Sequence, residues 1–373
     1  MLEVYKEIGV RDVINASGKM TILGVSTQDD RVGKAVYYAS KSYVVMEELI
    51  EKADEIISKF TSAQGSCVTL GAAAGIAITT AAVITKGKLN LIEKLPNSQG
   101  MKNEIIIQKG HSINFGASIP QMISLGGGNV VEVGQANKVL CEHIEESINE
   151  KTAALMYIKS HHAVQKGMVS LEEMIEIAHR NNLPIIVDAA AEEDLKKYIE
   201  MNADMVIYSG AKAIEGPTSG FITGKRKWIS ACKRQYAGIA RAMKVNKENI
   251  IGLLKALQLY ENKDLKSLID EQLKIVNWLR EEFNKIEGLR AEIEKDSAGR
   301  EIYRLKLKID ENILGFNAKK LINALECENP AVYTRNYYSN LGYIHFDPRP
   351  LKEGQEVLLL NTVLKTIDRL KEN

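Results

Sequence analysis

Two residues at the exits of neighbouring apolar runs have types and spacing suited to chemistry. Asp188 closes the run "PIIVD", and Lys212 stands in "YSGAK", just after the run Met205 to Tyr208. Ser209, Gly210 and Ala211 precede the lysine, and Gly216-Pro217-Thr218-Ser219-Gly220 follow it, so little bulk surrounds its amine. A lysine removed from water has a lowered pKa and can form a Schiff base with an aldehyde. A buried carboxylate one strand away can hold a pyridine nitrogen protonated. Together those two services are what pyridoxal 5'-phosphate requires of a protein. The same spacing also suits an aspartate capping a helix and a lysine on the surface.

Other residues bear on the choice. Gly71-Ala72-Ala73 opens a small-residue apolar segment directly after "VTL". Uncrowded backbone N–H groups at a helix start bind phosphate, and Ser209 can add a hydroxyl. Small residues there also simply permit tight helix packing. His111 follows the run "EIIIQ", where a flat side chain could stack on a cofactor ring. Ser160, His161 and His162 follow the run "AALMYI". Histidines at such a place can exchange a proton near neutral pH, although a lone histidine is more often structural.

Elements must position these residues. Near-continuous apolar runs at 104–108, 129–134, 153–158, 184–189 and 204–209 alternate with helical stretches at 112–123, 138–149, 170–181 and 192–201. Ser170 with Glu173 makes a capping-box pattern. Such runs predict a mostly parallel sheet covered by helices on both faces, and in open sheets of this kind ligands bind beyond the carboxyl ends of the strands. A helix is expected from about 43 to 60, and a long helical region from about 225 to 287. Half-exposed strands and two further helices then predict a smaller C-terminal α+β domain. The expected division is an N-terminal segment 1–42, a large α/β domain 43–255 and a small domain 256–373.

The chain has 373 residues, 49 Lys plus Arg against 48 Asp plus Glu, and a formal net charge of +1. That balance offers no electrostatic case for nucleic acid or a membrane surface as the main partner. The cysteines at 67, 141, 232 and 327 form no close pair and no cluster with histidine, which speaks against zinc or a disulfide framework. The N-terminus lacks a signal-peptide pattern and no run is long enough to span a bilayer, so a cytoplasmic protein is expected.

On "VINASGKMTILG" (13–24), "LGAAAGIA" (70–77), "GHSINFGA" (110–117), "SHHAVQKGMVSLEE" (160–173), "VDAAAEEDL" (187–195), "YSGAKAIEGPTSG" (208–220), "RAMKVNKENIIGLLKAL" (241–257) and "DPRPL" (347–351), the chain resembles fold type I pyridoxal-phosphate enzymes of the selenocysteine synthase-like group. Within that group it looks most like the D-glucosaminate-6-phosphate ammonia-lyase branch. The resemblance implies that Lys212 carries the cofactor as a Schiff base and Asp188 pairs with the pyridine nitrogen. It also implies phosphate contacts from Gly71, Ala72, Ala73 and Ser209, and ring stacking by His111. Arg349, or Arg335 in its place, would meet a substrate carboxylate, a role that suits a bidentate fork. Arg241, Lys244 and Lys247 form a basic run on an expected helix; such a run is usually a solvated face, and in a phosphosugar enzyme it could bind the distal phosphate, in the neighbouring subunit's site.

The activity so implied is α,β-elimination of a phosphorylated amino sugar acid, releasing ammonia and a 2-keto-3-deoxy acid, with His161 or His162 assisting departure of the hydroxyl. Another reaction of the same cofactor (aminotransferase, desulfurase, selenotransferase-like, aldolase or racemase) and a non-catalytic scaffold are the alternatives. A homodimer or higher homo-oligomer is expected. The "VINASGKMT" motif begins at residue 13, which argues against the tRNA-binding N-terminal region of bacterial selenocysteine synthases. Val25 stands where the lyase branch favours a small glycine.

Overall fold

The computed structural model describes residues 3–160, 162–296 and 300–372. Its strands, among the described residues, are β1 (Val13–Ala16), β2 (Gly65–Thr69), β3 (Glu104–Gln108), β4 (Asn129–Val133), β5 (Thr152–Ile158), β6 (Ile185–Asp188), β7 (Met205–Ser209), β8 (Gly220–Gly224), β9 (Leu289–Lys295), β10 (Tyr303–Ile309), β11 (Ala331–Thr334) and β12 (Tyr343–Phe346). The chain divides into two units, Gln28–Asn262 and Met1–Thr27 with Lys263–Asn373.

The larger unit holds a seven-stranded sheet in the order β2-β8-β7-β6-β5-β3-β4. Strands β3 to β7 run parallel, and β8 pairs antiparallel with both β7 and β2. Side chains alternate between the two faces of a strand, and both faces here are apolar. Ile106, Leu155, Val187 and Val206 pack with the helices Met46–Thr61, Leu171–Arg180 and Lys247–Glu261. Ile105, Ile107, Met156, Ile186 and Ile207 pack with the helix Ala72–Thr85. That double burial explains the continuous apolar runs in the sequence. Gly75 is what lets the Ala72–Thr85 helix lie so close, because a Cβ there would stand 2.6 Å from Cγ2 of Ile207.

The smaller unit joins both ends of the chain. β1 pairs in parallel with β11, and β12-β10-β9 form an antiparallel sheet. Val276, Leu279 and Phe283 of the helix Leu265–Phe283 pack there with Leu305, Leu307, Phe346, Leu359 and Val363.

These units differ from the division expected at 42/43 and 255/256. Residues through Thr27 join the C-terminal unit because β1 needs β11 for its backbone hydrogen bonds, with the Asp347 N–H also bonded to the Ala16 carbonyl at 2.8 Å. The helix Asp30–Ser40 belongs with the large unit, where Val36 packs at Gly252 and Lys247 donates to the Ala39 carbonyl at 2.6 Å. The expected boundary near 255 falls inside the helix Lys247–Glu261.

Several expected helices are shorter than their apolar pattern. Ser112 to Ile123 is helical only over Ile119–Leu125, Lys138 to Asn149 over Cys141–Glu145, and Glu192 to Met201 over Lys197–Glu200. The long region from 225 is broken into Arg226–Arg234, a 3-10 stretch to Met243, Lys247–Glu261 and Leu265–Phe283. Asn246 and Asp264 supply side-chain caps that start the last two. No helix among the described residues is long and apolar enough to cross a membrane.

Candidate active site

The parallel strands all end on one edge of the large sheet, and the chemistry-bearing residues collect there. β3 continues in sequence to β4 on one side and lies beside β5 on the other. The order therefore reverses at β3/β5, which opens a crevice at the carboxyl edge.

Asp188 is the last residue of β6, opposite Ile158 of β5 and Ile207 of β7. It is 7% exposed. Its Oδ1 accepts the Ala190 N–H at 3.1 Å. Burial pushes its pKa up to about 6, against the pull of the Lys212 charge and of that N–H. The ammonium of Lys212 is thus near enough to act on this carboxylate, in a unit where both sit on consecutive strand exits.

Ser209 ends β7 and Gly220 begins β8 directly across from it, with Thr69 of β2 across from Gly220 in turn. The turn between β7 and β8 carries Lys212, which is half-buried. It is closed by the Gly210 N–H to the Ser219 carbonyl and the Gly216 N–H to the Gly210 carbonyl, both 2.8 Å. At Gly220 a Cβ would stand 2.9 Å from the Gly71 carbonyl carbon. Glycine at 220 therefore brings the start of the Ala72–Thr85 helix against the exit of β8. Gly71 itself is extended and caps that helix with no side chain. The Ala72 and Ala73 N–H groups at the first turn have no intrahelical acceptor, the usual state of a helix start, and that positive end lies beside the Ser209–Lys212 turn.

His111 departs from expectation. It is 0% exposed, with its ring edge against Tyr157 at 4.6 Å between centroids. A wholly buried ring presents no face to a cofactor, so this conformation does not provide the stacking expected of it. Nδ1 accepts the Ile158 N–H at 3.2 Å, which places the ring proton on Nε2. Burial drives its pKa down to about 4. His111 ties the exit of β3 to that of β5. His162 is half-buried in the following loop, its N–H on Ser160 Oγ at 3.2 Å; His161 lies outside the described residues.

The basic run also changes. Arg241 lies in a 3-10 turn, Lys244 is extended, and Lys247 opens the next helix, so the three share no helix face. Gly238 and the Asn246 cap interrupt the pattern that suggested one. Lys247 is committed to the Ala39 carbonyl and to Glu248, whereas Arg241 and Lys244 are exposed.

Arg335 and Arg349 belong to the smaller unit. Arg349 places Nε and Nη2 on the two oxygens of Asp347 at 2.9 and 2.7 Å. Arg304 holds the same carboxylate at 2.9 Å. Burial alone would raise the Asp347 carboxyl, but the two guanidinium groups hold it well below the usual range. The Arg335 guanidinium donates to the Ser17 carbonyl at 3.4 Å and lies over the Tyr337 ring. Burial lowers its pKa, and the neighbouring Arg304 adds to this. Of the two, Arg335 has the guanidinium less engaged by carboxylate.

Sequence reasoning missed the glycines at 75 and 220 as the residues that set the helix start against the lysine turn. The motifs "AAAG" and "PTSG" carried that signal. It also missed the meaning of Val25, which sits at φ +69. That region favours glycine and is costly for a β-branched side chain, in keeping with the expectation that glycine is favoured at 25.

The family model for SelA, L-seryl-tRNA selenium transferase, matches residues 13–315. The chain is 46% identical over 357 residues to D-glucosaminate-6-phosphate ammonia lyase of Salmonella typhimurium, covering 96% of each. It is 40% identical over 355 residues to a 5'-C-glycyluridine monooxygenase-decarboxylase of a Streptomyces species, covering 94% of this chain and 89% of that one. A solved structure of D-glucosaminate-6-phosphate ammonia-lyase superposes with a TM-score of 0.92 at 44% identity, over 99% of both chains. With a large, mostly parallel sheet and a smaller C-terminal sheet unit, the chain belongs to the SelA family of fold type I, pyridoxal-phosphate-dependent proteins.

Proposed function

We propose that this chain is a pyridoxal-phosphate-dependent ammonia lyase acting on a phosphorylated amino sugar acid such as D-glucosaminate 6-phosphate. One observation carries the reading: a carboxylate, Asp188, buried at the exit of β6, with Lys212 in the turn that leaves the neighbouring strand β7. The likeness to the Salmonella lyase names the substrate class.

The residues present fit the cofactor. A carboxylate held at the edge of ionisation by burial calls for a cationic partner, and a protonated pyridine nitrogen is one. The bare helix start at Gly71, Ala72 and Ala73, with Ser209, suits its phosphate. When bound, the cofactor supplies an electron sink for the charge left at the substrate's α-carbon. Lys212 holds it and, once its amine is released, takes the proton from that carbon. Asp188 keeps the ring nitrogen protonated. His161 or His162 delivers a proton to the departing β-hydroxyl oxygen. Water then replaces nitrogen at the α-carbon, so ammonia and a 2-keto-3-deoxy acid phosphate leave, with net loss of ammonia only. His111 supports the crevice from beneath the exits of β3 and β5.

Arg335 receives the substrate carboxylate through its bidentate fork. Arg241 and Lys244 are the candidates for the distal phosphate. The enzyme works in the cytoplasm as a homodimer or larger homo-oligomer. In support of assembly, Tyr38 and Tyr43 are 69% and 103% exposed within a run that also exposes Tyr37, Val44 and Val45, and contiguous apolar exposure of this sort marks protein contacts.

The similarity to a monooxygenase-decarboxylase makes the reaction type the point to test. D-glucosaminate 6-phosphate should yield one ammonia and one keto acid per turnover, without oxygen uptake. Oxygen consumption with carbon dioxide release, or accumulation of pyridoxamine phosphate, would overturn the lyase reading.

A further inference from the structure

The opposite edge of the large sheet carries a second concavity, unrelated to the strand exits. Its volume is about 400 Å³, within the range of small-molecule sites. It opens beside Thr152, the first residue of β5, and Pro184, just before β6. Asp188 and Ile158 end those strands, so the two sites lie about 13 Å apart along β6 and about 20 Å apart along β5.

Lys86, Lys102 and Lys227 line it, no carboxylate does, and Val83, Leu183 and Ala231 give it an apolar floor. The helix Arg226–Arg234 begins here with three successive cations, Lys225, Arg226 and Lys227, and no acidic residue in its first turn. Cations at a helix N-terminus are electrostatically adverse. Two of them are answered, Lys225 by Asp204 at 2.8 Å and Arg226 by Asp54 at 2.6 Å. Lys227, the one that lines the cavity, has no carboxylate within ion-pair distance among the described residues; its amine lies over the Trp228 ring at 5.2 Å. The Trp228 side chain lines the same wall.

We propose that this cavity binds an organic phosphate, a phosphate monoester carrying a planar or apolar body, as a site distinct from the catalytic one. The ammonium groups of Lys86, Lys102 and Lys227 take the phosphate, and the body rests against Val83, Leu183, Ala231 and the Trp228 side chain.

The test uses the holoenzyme in a Trp278→Phe background, where Trp228 is the remaining indole. AMP is titrated against indole fluorescence, with adenosine, inorganic phosphate and sulfate as separate arms at matched ionic strength. AMP should give a saturable change, and adenosine and inorganic phosphate each a much weaker one. Lys102→Ala with Lys227→Ala should weaken AMP binding about tenfold or more, while turnover of the amino sugar acid without added AMP stays as in the parent. A Lys227→Arg variant should retain binding. Absence of a saturable change with AMP, an equal response to sulfate, or binding that survives the double lysine variant would overturn the proposal.

Discussion

Replacing Asp188 by Asn should separate stability from function. In the cofactor-free protein the carboxylate is buried and its pKa lies at about 6, up from 3.8. A raised carboxylate pKa favours the protonated form in the fold. Its stabilising contribution is therefore complete below the unfolded value and lost as pH rises through the folded one. A rise from 3.8 to about 6 corresponds to about 3 kcal/mol between the two limits. Asparagine keeps the shape and carries no charge. The cofactor-free Asp188→Asn protein should thus exceed the parent by up to about 3 kcal/mol near pH 8, with the gain shrinking to about zero near pH 4. Urea unfolding of both proteins, freed of cofactor, across that range measures it. The same variant should lose lyase activity, because a neutral amide cannot hold the pyridine nitrogen protonated. A Asp188→Asn protein that is less stable than the parent near pH 8, or whose stability difference is flat with pH, would refute this placement of the carboxylate.

Three further substitutions probe the supports. Gly75→Ala places a methyl against Ile207 at 2.6 Å and should cost about 1–3 kcal/mol; denaturant midpoints and cofactor dissociation should show a less stable protein that also binds pyridoxal phosphate more weakly, as the helix start is pushed from the lysine turn. Val25→Gly relieves a β-branched residue at φ +69 and should raise stability by about 1 kcal/mol after the entropic cost of glycine, read as a higher melting temperature; a lower one would contradict the strain. Arg335→Ala should lower kcat/KM by about a hundredfold or more, mainly through KM, with the smaller unit folded as judged by circular dichroism; an unchanged KM would remove Arg335 from the substrate.

Much of the large sheet was legible because burial on both faces writes itself as unbroken apolar runs, as in Ile105 to Ile107 and Ile185 to Val187. The placement of Asp188 and Lys212 at consecutive exits followed from where those runs stop. Other features depend on partners far along the chain. β1 is a short strand whose pairing with β11 joins residues 13–16 to 331–334, and nothing local announces that. The region after residue 225 keeps a helical apolar period, so the breaks at Gly238 and Asn246 were hidden by side chains that pack equally well on separate short helices. His111 stood at the expected strand exit, but whether a histidine faces a crevice or the interior depends on Tyr157, a neighbour on another strand. That Asp347 is engaged by both Arg304 and Arg349, the ground for proposing Arg335 rather than Arg349 for the substrate, only the folded unit reveals.

The Lys212 amine is the proposed point of attachment of pyridoxal phosphate. Borohydride reduction of the holoenzyme, followed by proteolysis and mass spectrometry, measures this directly. The reduced cofactor should be found on the peptide containing Lys212, with the visible absorbance band absent from Lys212→Ala. Attachment to another lysine, or a band that persists in the variant, would contradict it.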